Sequence, residues 1–273
     1  MNSNRKHANL RRLPLSVLIF AAVLLIGTAA TLAAHLLADS ENGVKVMVLN
    51  YHKTENVHNS LSVPPADFDA QMKFLWEHNY HTISPDELYS SLSGNAELPE
   101  NPVLITFDDG YEDNYLYAYP ILQKYGFKAT IFVISSYVGV QPHYITWQQA
   151  REMCDYGFNI ESHTVSHRSM TDLTDEELKT ELVESKKKIE AEMGHPVNFM
   201  AYPTGTYNLH IAQLVKDAGY KAAFTIKYGN VDKGSNVYAL ERVPIFQTEN
   251  TYKSFRERIR YTPIFTGFGW VKN

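Results

Sequence analysis

The chain has 273 residues, 44% hydrophobic, 20% charged and 12% aromatic, with a single cysteine. These values exclude a disordered tail protein and a disulfide-stapled miniprotein. Arg5, Lys6, Arg11 and Arg12 put +4 on the first twelve residues against an overall −5, so the remainder carries −9. An acidic body argues against nucleic acid as a partner.

Residues 1–12 form a basic segment, and Leu13 to Leu37 contains no charged residue. A run of that length is enough to cross the ~30 Å hydrocarbon layer of a membrane. With the cations before it and Asp39 and Glu41 after it, the expectation is one transmembrane anchor over 13–37, with a cytoplasmic N-terminus and the body outside. A cleaved signal peptide ending near Thr31-Leu32-Ala33, leaving a secreted body, is the rival reading. Residues 38–43 then read as a linker and 44–273 as one domain.

Val44–Asn50 is an apolar, β-branched run expected as a buried strand. Phe68, Met72, Leu75 and Trp76 follow at helical spacing. Ser84-Pro85-Asp86-Glu87 combines an N-cap, a first-turn proline and a capping-box glutamate. Pro102–Phe107 and Lys128–Ile134 read as strands, with a helix over Tyr111–Tyr125 interrupted by Pro120. Thr146 with Gln149 opens a helix that Gly157 closes, before the strand Phe158–Ser162. Cys154 lies in that helical pattern as a small buried hydrophobe. Thr174 with Glu177 opens the longest helix, ending before Gly194. Asn198–Tyr202, Lys221–Ile226 and Tyr238–Val243 are strand-like, with helices over Asn208–Ala218 and Tyr252–Arg260. About seven alternations of strand and helix predict an α/β fold closed as a distorted or incomplete (β/α) barrel. Chemistry in such a barrel sits where strands end.

Three strand ends carry polar residues. Thr106-Phe107-Asp108-Asp109-Gly110 sets two carboxylates side by side, an arrangement that suits one metal ligand and one proton acceptor; Asp-Asp-Gly is equally a turn sequence. His163-Thr164-Val165-Ser166-His167 places two imidazoles four residues apart. With Asp109 they make a metal set that leaves positions open for water and substrate. Zinc suits imidazole best, with cobalt, nickel or iron as alternatives. The third end is Tyr202-Pro203-Thr204-Gly205, which by itself is only turn punctuation.

These three motifs, in this order, resemble the polysaccharide deacetylase family (carbohydrate esterase family 4, the NodB-homology domain). Asn50-Tyr51-His52 and Glu241-Arg242-Val243-Pro244 are similar to its poly-N-acetylglucosamine deacetylase branch. The resemblance spans roughly residues 44–262. It implies a NodB-type barrel and a divalent-metal hydrolase that removes N-acetyl groups from N-acetylglucosamine units of a polysaccharide. Asp108 is then the general base, and Asp109, His163 and His167 hold the metal. Peptidoglycan deacetylation, O-acetyl esterase chemistry and a weakly active glycan-binding protein are the alternatives it leaves. Where many members carry an arginine in the third motif this chain has Ala201, and where an aromatic residue is usual it has Thr204. A late histidine is also missing, since none follows His210. Arg242, His52 and Thr204 are therefore the expected supporting residues.

Overall fold

The computed structural model describes residues 45–267, which lie within one compact unit, Val44–Asn273. The expected membrane anchor over 13–37 and the whole linker over 38–43 lie outside the described residues. Among the described residues no helix is long and apolar enough to cross a membrane.

Among the described residues, eight parallel strands and seven α-helices alternate, except that the last strand follows its predecessor with no helix between. They run in the order β1 (Met47–Tyr51), α1 (Pro65–Glu77), β2 (His81–Thr82), α2 (Pro85–Leu92), β3 (Pro102–Asp109), α3 (Tyr119–Lys124), β4 (Thr130–Val133) and α4 (Trp147–Tyr156). Then come β5 (Asn159–Ser162), α5 (Asp175–Met193), β6 (Phe199–Ala201), α6 (Leu209–Asp217), β7 (Ala222–Tyr228), β8 (Leu240–Pro244) and α7 (Thr251–Gly267). The strands follow one another around a ring from β3 to β8, and β8 returns to β1, which closes on β3. Seven strands therefore make the barrel. The two-residue β2, not foreseen in the sequence, pairs only with the start of β3 on the edge opposite β1.

Side chains alternate between the two faces of each strand. Val46, Val48, Leu104, Phe132, Phe199, Ala222, Phe224 and Leu240 fill the barrel interior. Leu49, Tyr51, Val103, Ile105, Ile131, Val133, Ile160 and Met200 point outward against the helices. The same period carries Asn50, Thr106, Asp108, His163 and Arg242 onto the interior side, stacked on that apolar plug at the strands' C-terminal ends.

The expected caps form. Ser84, Thr146 and Thr174 each close a capping box, and Gly157 and Gly194 end their helices in the left-handed conformation. The break expected at Pro120 instead lies just before it. A π-helical turn runs over Asn114–Ala118, with the Tyr119 N–H reaching back to the Asn114 carbonyl, and Pro120 sits in the first turn of α3. A proline lacks an N–H, and in the first turn that loss leaves no bond broken. The seam between β5 and β6 is the thinnest, with one register pair, Ser162 with Met200. There the buried Glu161 extends the ladder, its Oε2 accepting from the N–H groups of Asn198 (3.0 Å) and Phe199 (2.9 Å).

Candidate active site

Asp109 ends β3 with φ 76°, and Gly110 follows at φ 81°. A Cβ on Gly110 would meet Val133 Cγ1 at 3.0 Å, so a glycine is needed for both the conformation and the close approach. This turn swings the Asp109 carboxylate across to the loop after β5. Its Oδ1 lies 3.5 Å from His163 Nε2 and 3.3 Å from His167 Nε2. Thr164 (φ 67°) and His167 (φ 60°) are also left-handed, a conformation rare for residues with a side chain.

The donor set fits a metal ion. One ligand atom from each of Asp109, His163 and His167 lies within 4.8 Å of the others. Asp109 Oδ1 is buried without a hydrogen-bond partner. His163 Nδ1 is 2.8 Å from the Ala201 carbonyl, which can only accept, so the proton is on Nδ1 and Nε2 keeps its lone pair toward the site. Burial pushes the His163 imidazolium down to about 3 and lowers that of His167, so both rings are neutral ligands at neutral pH. Burial, and then the adjacent Asp108 charge, push Asp109 up to about 6, a strain that a cation would relieve.

Asp108 is held differently. Arg242, fully buried on β8, grips it with both ends of the guanidinium: Nη1 to Oδ1 and Nη2 to Oδ2, each 2.7 Å. The same arginine donates from Nε to the Thr225 carbonyl at 2.7 Å, which fixes the fork. Burial alone would raise the Asp108 carboxyl. Arg242, with His163 and His52, overrides that and holds it well below the usual carboxylate range. Arg242 thus occupies, from the last strand, the place beside Asp108 expected of an arginine in the third motif, where Ala201 stands.

The other supporting residues divide. His52 Nε2 lies 4.0 Å from Asp108 Oδ2, and its Nδ1 is buried with no hydrogen-bond partner. Thr204 sits exposed in the 3₁₀ turn Pro203–Gly205, its hydroxyl 3.0 Å from that of Thr206. From the third motif it is the Ala201 carbonyl, on His163, that reaches the cluster. Asn50 stands in the sequence only as part of the Asn50-Tyr51-His52 resemblance, with no role assigned to it. Its Nδ2 donates to Asp108 Oδ2 at 3.0 Å, and the available signal was its interior register with Val46 and Val48. Cys154 is a half-buried thiol that burial pushes up to about 11, far from nucleophile chemistry.

The site is a neutral-imidazole and carboxylate trio beside a clamped carboxylate, at the C-terminal mouth of a parallel barrel. Comparison with known proteins agrees with it. The family described as polysaccharide deacetylase matches residues 95–223. A Bacillus subtilis protein named as a putative polysaccharide deacetylase, YxkH, is 38% identical over 206 residues, covering 76% of this chain and 73% of its own. The chain belongs to the polysaccharide deacetylase family. It is also similar to a Staphylococcus aureus poly-beta-1,6-N-acetyl-D-glucosamine N-deacetylase, at 26% identity over 84% of this chain and 91% of that one. Among solved structures, the Streptococcus pyogenes deacetylase PplD in complex with acetate superposes with a TM-score of 0.74 at 30% identity, covering 78% of this chain and 97% of that one.

Proposed function

We propose that this chain is a metal-dependent hydrolase that removes N-acetyl groups from N-acetylglucosamine units of an extracellular polysaccharide, with poly-N-acetylglucosamine as the preferred polymer. The observation that carries the reading is the pairing of Asp109, His163 and His167 around one point with Asp108 clamped beside them. The deacetylase named for poly-beta-1,6-N-acetyl-D-glucosamine supports the choice of polymer. A divalent ion, zinc by its fit to imidazole, would supply Lewis acidity toward an acetyl carbonyl and toward water.

This chain's own groups do the rest. Asp108, kept ionised and aimed by Arg242 and Asn50, accepts the proton of the attacking water. His52, with Nε2 4.0 Å from Asp108 Oδ2, is placed to take that proton from Asp108 and pass it to the departing amine nitrogen. A cleft of 520 Å³ between the loops after β1, β3 and β4 lies on the same strand-end side and offers a polymer room beside the cluster; Lys53, Glu55, Glu112, Asp113, Tyr117 and His143 line it. The apolar run over 13–37 anchors the domain in the cell membrane with its body outside.

Acetate release by the purified full-length chain with zinc tests the reading, using poly-β-1,6-N-acetylglucosamine and peptidoglycan side by side. Release from the first, abolished by a chelator, is expected. Release from peptidoglycan alone moves the substrate to the cell wall, and none from either overturns the assignment.

A further inference from the structure

We propose that Glu181, on the inward face of α5, is a positioning residue that sets the distance between His163 and His167. The inference rests on the reading of Asp109, His163 and His167 as ligands of one divalent ion. Glu181 is buried, and its carboxylate bonds into the loop that separates the two histidines. Oε2 accepts from the N–H groups of Val165 (2.8 Å) and Ser166 (2.9 Å), and Oε1 accepts from the Ser166 hydroxyl.

The carbonyl side of the same loop is held from the opposite direction. The Ser135 N–H donates to the Thr164 carbonyl at 3.0 Å and the Ser136 N–H to that of Val165 at 3.1 Å. The Ser136 hydroxyl adds a second bond to Val165, at 2.6 Å. The loop is thus gripped on its donor side by one carboxylate and on its acceptor side by the turn after β4. It needs holding, because Thr164 and His167 at its two ends both have left-handed φ. Within the loop, Thr164 Oγ1 accepts from the His167 N–H at 3.2 Å.

His163 is already fixed by the Ala201 carbonyl, so any relaxation of residues 165–166 is passed to His167. Glu181 stands eighteen positions from His163 and fourteen from His167 in the sequence, where no ligand spacing points to it. Its chemistry is that of an outer group that orients ligands without touching the ion, and loss of such a group weakens metal binding by about 10–100-fold.

Zinc affinity of the full-length chain, measured by competition with a chromophoric chelator, tests this without substrate. Glu181→Ala is expected to bind zinc at least about tenfold more weakly. Glu181→Asp keeps the charge but is one methylene too short to reach both N–H groups, and is expected to lose as much. Glu181→Gln keeps the reach and an accepting oxygen, and is expected to stay within about threefold of wild type. That pattern separates geometry from charge and from general stability. If Glu181→Asp binds zinc like wild type, or Glu181→Gln loses as much as Glu181→Ala, the positioning role is overturned. The Asp and Gln variants decide it even where Glu181→Ala does not fold. Failure of the metal reading looks different: wild type itself would bind no stoichiometric zinc, and both conclusions would fall together.

Discussion

Two adjacent aspartates share one buried corner, and their neighbours give them opposite characters. Asp108 meets a bidentate guanidinium and an amide N–H, so its charge is matched and its direction fixed. Asp109 has an oxygen without a hydrogen-bond partner, facing the Nε2 atoms of two imidazoles. Replacing Asp108 by Asn removes a proton acceptor and no ligand. Bound zinc should therefore remain while turnover falls on the order of 10²–10⁴-fold. Asp109→Asn and His163→Ala should instead lose stoichiometric zinc with the fold retained; equal metal content in all three variants would disprove this division. Arg242 poses a separate question. Arg242→Met strips the counter-charge from a buried carboxylate, and should cost about 3–5 kcal/mol in urea unfolding. Arg242→Lys restores charge without the fork and should fall between that variant and wild type. Asp108, Asp109, His163 and His167 were readable because their types and local spacing announce chemistry. Arg242 and Asn50 were harder to read, because their importance comes from a partner on another strand.

At the level of elements, hydrogen bonding at helix ends was well encoded. The three capping boxes and the two terminal glycines are local patterns within four residues, and each formed as its sequence indicates. The break near Pro120 was legible as a disturbance but not in kind, since the π-turn ends at Ala118 and Pro120 itself fits the first turn of α3. Two-residue β2 gave no periodic signal. The β5–β6 seam was hidden for a related reason, since a single glutamate substitutes for missing ladder bonds. Glu161→Ala leaves the Asn198 and Phe199 N–H groups without their acceptor, at a cost of about 1–3 kcal/mol for each buried group. Glu161→Gln keeps an oxygen in place and should unfold at a denaturant concentration close to wild type. Equal midpoints for the Ala variant and wild type would show that the seam does not depend on this side chain.

For the whole molecule, a part of the −9 carried beyond residue 12 can be placed near the site. Glu55, Glu112 and Asp113 line the cleft beside the site, with Lys53 as the lysine among them. Deacetylation converts a neutral unit into a cationic amine. The proposed enzyme should therefore bind partly deacetylated polymer more tightly than fully acetylated polymer at low salt. The preference should shrink as the Debye length falls from about 30 Å at 0.01 M to about 8 Å at 0.15 M ionic strength. A titration of both polymers across that range checks it, and equal affinities at low salt would rule it out. The net charge was countable from composition, but its placement required the fold.

The strand that delivers Arg242 is also the strand that completes the ring. β8 pairs with β1 through Leu49–Val243 and Asn50–Pro244, and its arginine grips a carboxylate 134 residues earlier in the chain. A contact between such distant segments carries a larger loop-closure entropy cost than a local one. Seating β8 against β1 and clamping Asp108 are therefore one structural event, so a change that loosens this closure also loosens the grip on that carboxylate.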